Sequence, residues 1–382
     1  MLGDLLDGAG GLWEALQTQH EVHTVFVRSG ADLAQISERW ALEALRGQQK
    51  CAWYFLWPVA ASPFAEARAG TVCERQFFDL AVRMECAGVE TGWPHPSQLY
   101  RLLCGKLWVA QMCLQSEWRV PPTAQVHVQR FRADPGGAVA GALRTLGELQ
   151  RRVWREEPAP VEAFRGVAKL GFSWQGQDVV PFAGPEGLRA ALGRLFGQAG
   201  SQQVTCLVQR MVPHVVCEQR VLAVWDAAAG RFAQQRVYLR LFPADDRRSK
   251  STVDGFALTS ALVVRPEDAA VELFGGDAAA CREVEEQVDA LAERWLLWAS
   301  AQCAEPPPVL RLDFIISRPP DASAAAAAWT CEVTECGASF CGLEVDSRSA
   351  AAVNYALRHL KAEGGGFPRP LPPLRFKEKP NW

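Results

Sequence analysis

Apolar residues along this chain fall into runs whose period changes with position. Val167–Leu170, Val204–Gln209, Arg220–Trp225 and Phe232–Phe242 are short apolar runs that read as strands, the last two joined by a turn at Asp226–Gly230. With a helix predicted over Pro185–Phe196, between the first two, they predict an antiparallel sheet. Val309–Ser317 and Trp329–Thr334 predict two more strands, with the alanine run Ala322–Ala328 as the loop of a hairpin. Helical spacing runs through Ser97–Ser116, where Leu99, Leu103, Leu107, Ala110 and Leu114 recur about one turn apart behind Ser97 as N-cap. Val120-Pro121-Pro122-Thr123 ends that helix and starts an extended segment. A second helix is predicted over Ala278–Gln302, with Val284, Val288, Leu291 and Trp295 as its buried stripe, and a third near Ser347–Lys361.

The N-terminal part reads differently. Strand-like His23–Val27 and Cys51–Val59 flank helical Ala31–Leu45, which predicts a small α/β domain over residues 1–95. The main domain then spans residues 96–362, with a lid-like subdomain at about 160–215, and residues 363–382 form a Pro/Gly-rich tail expected to be extended or disordered. The expected class is therefore α/β in the broad sense, an α+β mixture of helices and antiparallel sheet.

Composition narrows the function classes. With 382 residues, 49% hydrophobic and 22% charged, the chain has ordinary globular composition and enough length for two or three packed subdomains. A net charge of -3 gives no electrostatic case for nucleic acid or an anionic membrane. No run is long and apolar enough for a membrane span, and Met1–Gly11 carries Asp4 and Asp7 without a basic segment, so the cytoplasm is the expected compartment. The 12 cysteines include no Cys-x-x-Cys pair, and no His pair follows Cys331, Cys336 and Cys341, which favours buried free thiols over zinc. The six histidines are dispersed, and neither a Gly-x-Ser-x-Gly elbow nor a P-loop is present.

Five motifs carry chemistry. Arg311-Leu312-Asp313-Phe314 and Glu332-Val333-Thr334-Glu335 lie on consecutive strands, and alternation puts Arg311 with Asp313, and Glu332 with Thr334, on one face of a hairpin. Two carboxylates side by side repel unless a cation lies between them, and hard oxygen donors suit Mg²⁺. Val167-Ala168-Lys169-Leu170-Gly171 delivers a lysine from an apolar strand into the loop Ser173-Trp174-Gln175-Gly176-Gln177, and a lysine in such a strand calls for an anionic partner. Gly105-Lys106-Leu107, Val208-Gln209-Arg210-Met211-Val212-Pro213 and Glu218-Gln219-Arg220 complete the set.

In this order, over Ser97–Lys361, the five motifs resemble the ATP-grasp superfamily. The resemblance implies an ATP-grasp fold with a pre-ATP-grasp-like N-terminal domain. It also implies an ATP- and Mg²⁺-dependent ligase that activates a small-molecule carboxylate as an acylphosphate and joins it to an amine. Lys106, Lys169 and Arg220 would then hold phosphates, Gln209, Met211 and Val212 the adenine, and Glu218 the ribose. Asp313 and Glu332 would hold Mg²⁺, with Thr334 where the family usually has Asn; Gly105 likewise stands where the family often has Asp. Arg311 would stabilise the oxyanion of the tetrahedral intermediate. The Asp245–Gly255 segment, with Arg247, Arg248 and Lys250, would close over the phosphates. Two rival readings share the fold: a protein-modifying ligase similar to tubulin tyrosine ligases, and a non-catalytic nucleotide-binding scaffold. The acceptor and the oligomeric state are not legible in the sequence.

Overall fold

The structure is a computed structural model that describes residues 50–51, 79, 82, 86, 90–91, 97–106, 108–171, 179–197, 205–226, 228–241, 261–303, 306–307, 309–319 and 325–334. Two short strands, β1 (Lys50–Cys51) and β2 (Glu90–Thr91), pair in parallel. The strand expected at His23–Val27, the helix at Ala31–Leu45, the helix at Ser347–Lys361 and the tail lie outside the described residues.

Two helices, α1 (Ser97–Cys104) and α2 (Trp108–Met112), replace the single helix expected over Ser97–Ser116. The break falls at Lys106, whose φ of 51° lies in the left-handed region, where an L-residue cannot continue a helix. Gly105 N–H still donates to the Arg101 carbonyl at 3.0 Å, while Lys106 N–H closes a tighter turn onto Leu103 at 3.1 Å. The apolar period gives no sign of this, because Leu99, Leu103, Trp108, Val109 and Met112 enter one core from both sides of the break. Leu114, expected in the stripe, is instead 58% exposed.

The chain then forms β3 (Thr123–His127), α3 (Val128–Ala133) and α4 (Pro135–Leu149), which runs on into a π turn at Gln150–Trp154. After these come β4 (Arg165–Leu170), β5 (Val179–Ala183), α5 (Gly184–Gly197) and β6 (Thr205–Arg210). The four strands make an antiparallel sheet in the order β3-β6-β4-β5. One face, with Ala124, Val126, Ala168, Leu170, Cys206 and Val208, packs into a core with α4 and α5. By alternation and register the other face carries Thr123, Lys169, Leu207 and Gln209.

The remaining elements are β7 (Val215–Asp226), β8 (Arg231–Leu241), β9 (Ala261–Val264), α6 (Pro266–Phe274), α7 (Ala278–Ala301), β10 (Val309–Ser317) and β11 (Ala327–Thr334). They build a second antiparallel sheet in the order β11-β10-β7-β8-β9. Val284, Val288, Leu291 and Trp295 of α7 share one core with Leu310, Leu312, Phe314 and Ile316 of β10. The Trp295 indole N–H donates to Thr330 Oγ1 of β11 at 3.1 Å.

The strands expected in a single sheet thus belong to two. β4 and β6 lie in the first, β7 and β8 in the second. The switch occurs at Pro213, which has no N–H to give a ladder, and His214, whose φ is 53°. Ala327 and Ala328, expected in a loop, already belong to β11. The whole is an α+β architecture of two antiparallel sheets and their helices. Trp154 and Trp329 tie the two units together, with ring centroids 4.8 Å apart and the Arg119 guanidinium 4.6 Å from the Trp329 ring centre. No helix among the described residues is long and apolar enough to cross a membrane.

Candidate active site

The face of the second sheet turned away from α7 is charged where the opposite face is apolar. The register pairs Asp313 directly with Glu332 on one side and with Arg220 on the other, and Arg311 with Thr334. Arg311 donates to Asp313 through Nε at 3.0 Å and Nη2 at 2.8 Å, and Nη2 also donates to Glu332 at 3.1 Å. Arg220 Nε donates to Glu218 at 2.8 Å and lies 3.5 Å from Asp313. Lys106, delivered by the left-handed turn between α1 and α2, places Nζ 3.2 Å from Glu332. The result is a chain of alternating sign: Lys106, Glu332, Arg311, Asp313, Arg220, Glu218. Asp313, inside this chain, is deeply buried at 2% exposure, while the Glu332 side chain is 28% exposed. Such buried charges persist only with partners, and here each is within reach of an opposite one.

A β-bulge sets the phase. Asp313 pairs with Glu332 but Phe314 pairs with Thr330, which leaves Cys331 as the extra residue. Without it, alternation would send Glu332 to the same face as Thr330, into the core beneath α7. With it, Trp329 pairs beside Ile315 on the charged face, Thr330 stays in the core, and Glu332 and Thr334 return to the charged face.

The first sheet supplies the facing groups. Lys169 Nζ donates to Gln209 Oε1 at 3.0 Å, and Gln209 Nε2 donates to Thr123 Oγ1 at 2.8 Å. Burial lowers the Lys169 ammonium pKa; Cys331 and Glu332 oppose that shift and Lys106 adds to it, so all three lie within electrostatic reach of Lys169. Burial also pushes the Cys331 thiol up to about 12. Asp313 is raised to about 7 because burial outweighs Arg311 and Arg220. For Glu332 burial acts in the same direction, but Lys106 and Arg311 overcome it and hold the carboxyl at about 2.

The structure therefore brings Lys106, Lys169, Gln209, Glu218, Arg220, Arg311, Asp313, Glu332 and Thr334 onto two neighbouring surfaces. The adenine candidates are partly committed. Met211 N–H donates to the Arg165 carbonyl at 3.1 Å, so that donor is not open to adenine; Gln209 is paired with Thr123 on one side and Val167 on the other, and its side chain is bonded to Lys169 and Thr123; Val212 is buried beside them. Lys250, the Asp245–Gly255 segment and the Ser173–Gln177 loop lie outside the described residues. In the sequence Thr123 stands out only as the end of a helix stop and Cys331 only as one of three evenly spaced thiols, neither as part of this site. Thr123 follows the Pro-Pro pair and gives no local signal, and a bulge is set by pairing across strands rather than by its own residue.

Gly171, at the end of β4, lies close to the Lys106 turn: a methyl there would stand 2.5 Å from the Gly105 carbonyl oxygen. Backbone cannot yield as a flexible side chain does. Gly171→Ala is expected to cost about 2 kcal/mol and to displace Lys106. Thermal unfolding would measure the cost, and a Gly171→Ala protein as stable as the wild type would contradict this close approach.

Asp313 and Glu332 give a hard divalent cation two oxygen donors from directly paired positions, with the Thr334 hydroxyl two pairs further along on the same face, and this donor chemistry fits Mg²⁺. Among the described residues no three His, Cys, Asp or Glu side chains form a metal cluster, so phosphate and water oxygens would have to complete the shell. An open groove of about 450 Å³, lined by Val139, Leu143, Phe164 and Arg189 among others, lies among the helices on the far side of the first sheet, away from Lys169, Asp313 and Glu332.

Scans against family models and curated proteins find no match for the chain. Among solved structures, it is similar to D-cycloserine synthetase DcsG, at 19% identity and a TM-score of 0.48 over 84% of this chain and 93% of that one. It is also similar to D-alanyl-alanine synthetase A from Vibrio cholerae, at 13% identity and a TM-score of 0.46 over 74% and 72% of the two chains. A third is D-alanine–D-alanine ligase from Bacillus anthracis complexed with ATP, at 11% identity and a TM-score of 0.45 over 94% of each chain.

Proposed function

We propose that the chain is a cytoplasmic ATP-grasp ligase that uses ATP and Mg²⁺ to join a small-molecule carboxylate to an amine. The observation that carries the reading is the pairing of Asp313 with Glu332 across neighbouring strands, bridged by Arg311 and faced by Lys106 and Lys169. Cations from two sheets and a helix break converge there on two carboxylates, which suits a polyphosphate and its metal.

In this reading Lys106, Lys169 and Arg220 bind the phosphates, and Asp313 and Glu332 hold Mg²⁺, with Thr334 as a further oxygen donor. The ion would supply charge screening between phosphate oxygens. Glu218 faces the ribose hydroxyls. The adenine edge falls to the Met211 carbonyl and to Val212, since Met211 N–H is already bonded. The substrate carboxylate attacks the terminal phosphorus, ADP departs, and the amine displaces phosphate from the acylphosphate. Arg311 is placed to stabilise negative charge on the oxygen formed in that second step.

ADP release measured with Mg²⁺ and a panel of amino acids tests this. The expected result is ADP and phosphate formation that depends on both a carboxylate and an amine substrate. Nucleotide binding without turnover across the panel would overturn the enzymatic reading in favour of a scaffold.

A further inference from the structure

The hydrogen bonds around Lys169 form a chain with a fixed direction. Lys169 Nζ donates to Gln209 Oε1 at 3.0 Å, Gln209 Nε2 donates to Thr123 Oγ1 at 2.8 Å, and Thr123 Oγ1 donates to the Pro121 carbonyl at 2.8 Å. All three side chains are buried, Lys169 and Gln209 at 7% and Thr123 at 3% exposure. The two ends determine every step between them. A carbonyl oxygen can only accept, and Thr123 has one hydroxyl proton, which it gives to Pro121. Toward Gln209 it can therefore only accept, so the amide must turn Nε2 to Thr123 and Oε1 to Lys169. An ammonium can only donate, and it meets the acceptor it needs. The reverse amide orientation would set Nε2 against the ammonium and leave the Thr123 oxygen facing another oxygen.

This chain does something that an ion pair would not. A carboxylate partner would hold Lys169 as firmly but would neutralise it. A neutral amide fixes its direction and leaves its positive charge to act toward Lys106, Glu332 and Cys331, which lie within its electrostatic reach. We propose that Thr123 and Gln209 are positioning residues, which act through Lys169 to hold its ammonium in the orientation that binds nucleotide phosphate. The proposal rests on the phosphate role of Lys169 given above.

The test is a double-mutant cycle on the full chain, read as the Kd of Mg-ATP by titration calorimetry, with thermal unfolding alongside. Thr123→Val keeps the shape of the side chain but removes the acceptor for Gln209, and is expected to weaken binding by about tenfold. Thr123→Ser restores the hydroxyl and is expected to restore the affinity. In a Lys169→Met background, Thr123→Val is expected to have no further effect, because the group it positions is gone. Should Thr123→Val fail to fold, Gln209→Met interrupts the same chain at its middle link and takes its place in the cycle. Unchanged affinity in Thr123→Val would overturn the proposal, as would an equal loss with and without Lys169, which marks a merely structural effect. Absence of Mg-ATP binding by the wild type would instead overturn the nucleotide reading itself, so the two failures are distinct.

Discussion

Asp313→Asn is expected to cut ATP turnover by about three orders of magnitude while the protein stays folded. Both halves of this expectation come from the surroundings of the carboxyl. Asp313 touches Arg311 and lies beside Arg220, and it pairs with Glu332 across the hairpin. Neutralising it leaves the proposed metal position with one carboxylate and removes the anion between two guanidinium groups. The fold tolerates this because burial already disfavours the Asp313 charge more than the arginines favour it. Burial raises the Asp313 carboxyl and the arginines lower it, with the balance at about 7, so near neutral pH the charged and neutral forms differ little in free energy. The amide also keeps an acceptor oxygen for Arg311. A stability change below about 2 kcal/mol is therefore expected.

Glu332→Gln serves as the companion variant, with a similar loss of turnover and the opposite electrostatics. Lys106 and Arg311 hold that carboxyl at about 2, below its ordinary value. A lowered folded-state pKa contributes stability above the unfolded value, and this is lost as pH falls through the folded one. The stability advantage of wild type over Glu332→Gln should thus be present at neutral pH and close as the solution is acidified toward 2. Parallel ADP-release assays and unfolding curves check both variants. Turnover retained in either one would sink the metal assignment.

The parts of this site that were legible in the sequence are those fixed by local pattern. β10 begins and ends where its apolar run does, and alternation correctly put Arg311 and Asp313 on one face. The α7 stripe was legible for the same reason, since large apolar residues recur at helical spacing and all four are buried. What failed depends on distant partners. The division into two sheets turns on Pro213 and His214, a short interruption in a long series of strand-like runs. The break at Lys106 is invisible because Leu99 and Trp108 reach the same core across it. Helix α4 has few large residues: Ala138, Val139, Ala142, Leu143, Leu146 and Leu149 make its buried face, and its clearest marks are Asp134 as N-cap and Pro135 at its start. The direction of the Thr123–Gln209–Lys169 chain joins residues 86 and 40 positions apart, a link that no local spacing encodes.

Lys169→Met is expected to weaken Mg-ATP binding by about a hundredfold with little change in stability. A phosphate contact from an ammonium in a dry site is a charge-assisted hydrogen bond. Its loss is uncompensated, because Lys106 approaches from another element and is already paired with Glu332. The stability side again reflects opposed effects. Lys169 is buried and its ammonium is disfavoured there by desolvation, so an apolar side chain of similar length removes a cost. The same change leaves Gln209 Oε1 without its donor in a buried position, which costs about 1–3 kcal/mol. The two offset each other to within about 2 kcal/mol. A lysine serving only to solubilise a surface would leave affinity and stability both unchanged, and one serving only to stabilise the sheet would give a large drop in unfolding temperature with nucleotide affinity intact. Calorimetric titration of Mg-ATP together with thermal unfolding separates the three cases, and wild-type affinity in Lys169→Met would overturn the phosphate role of Lys169.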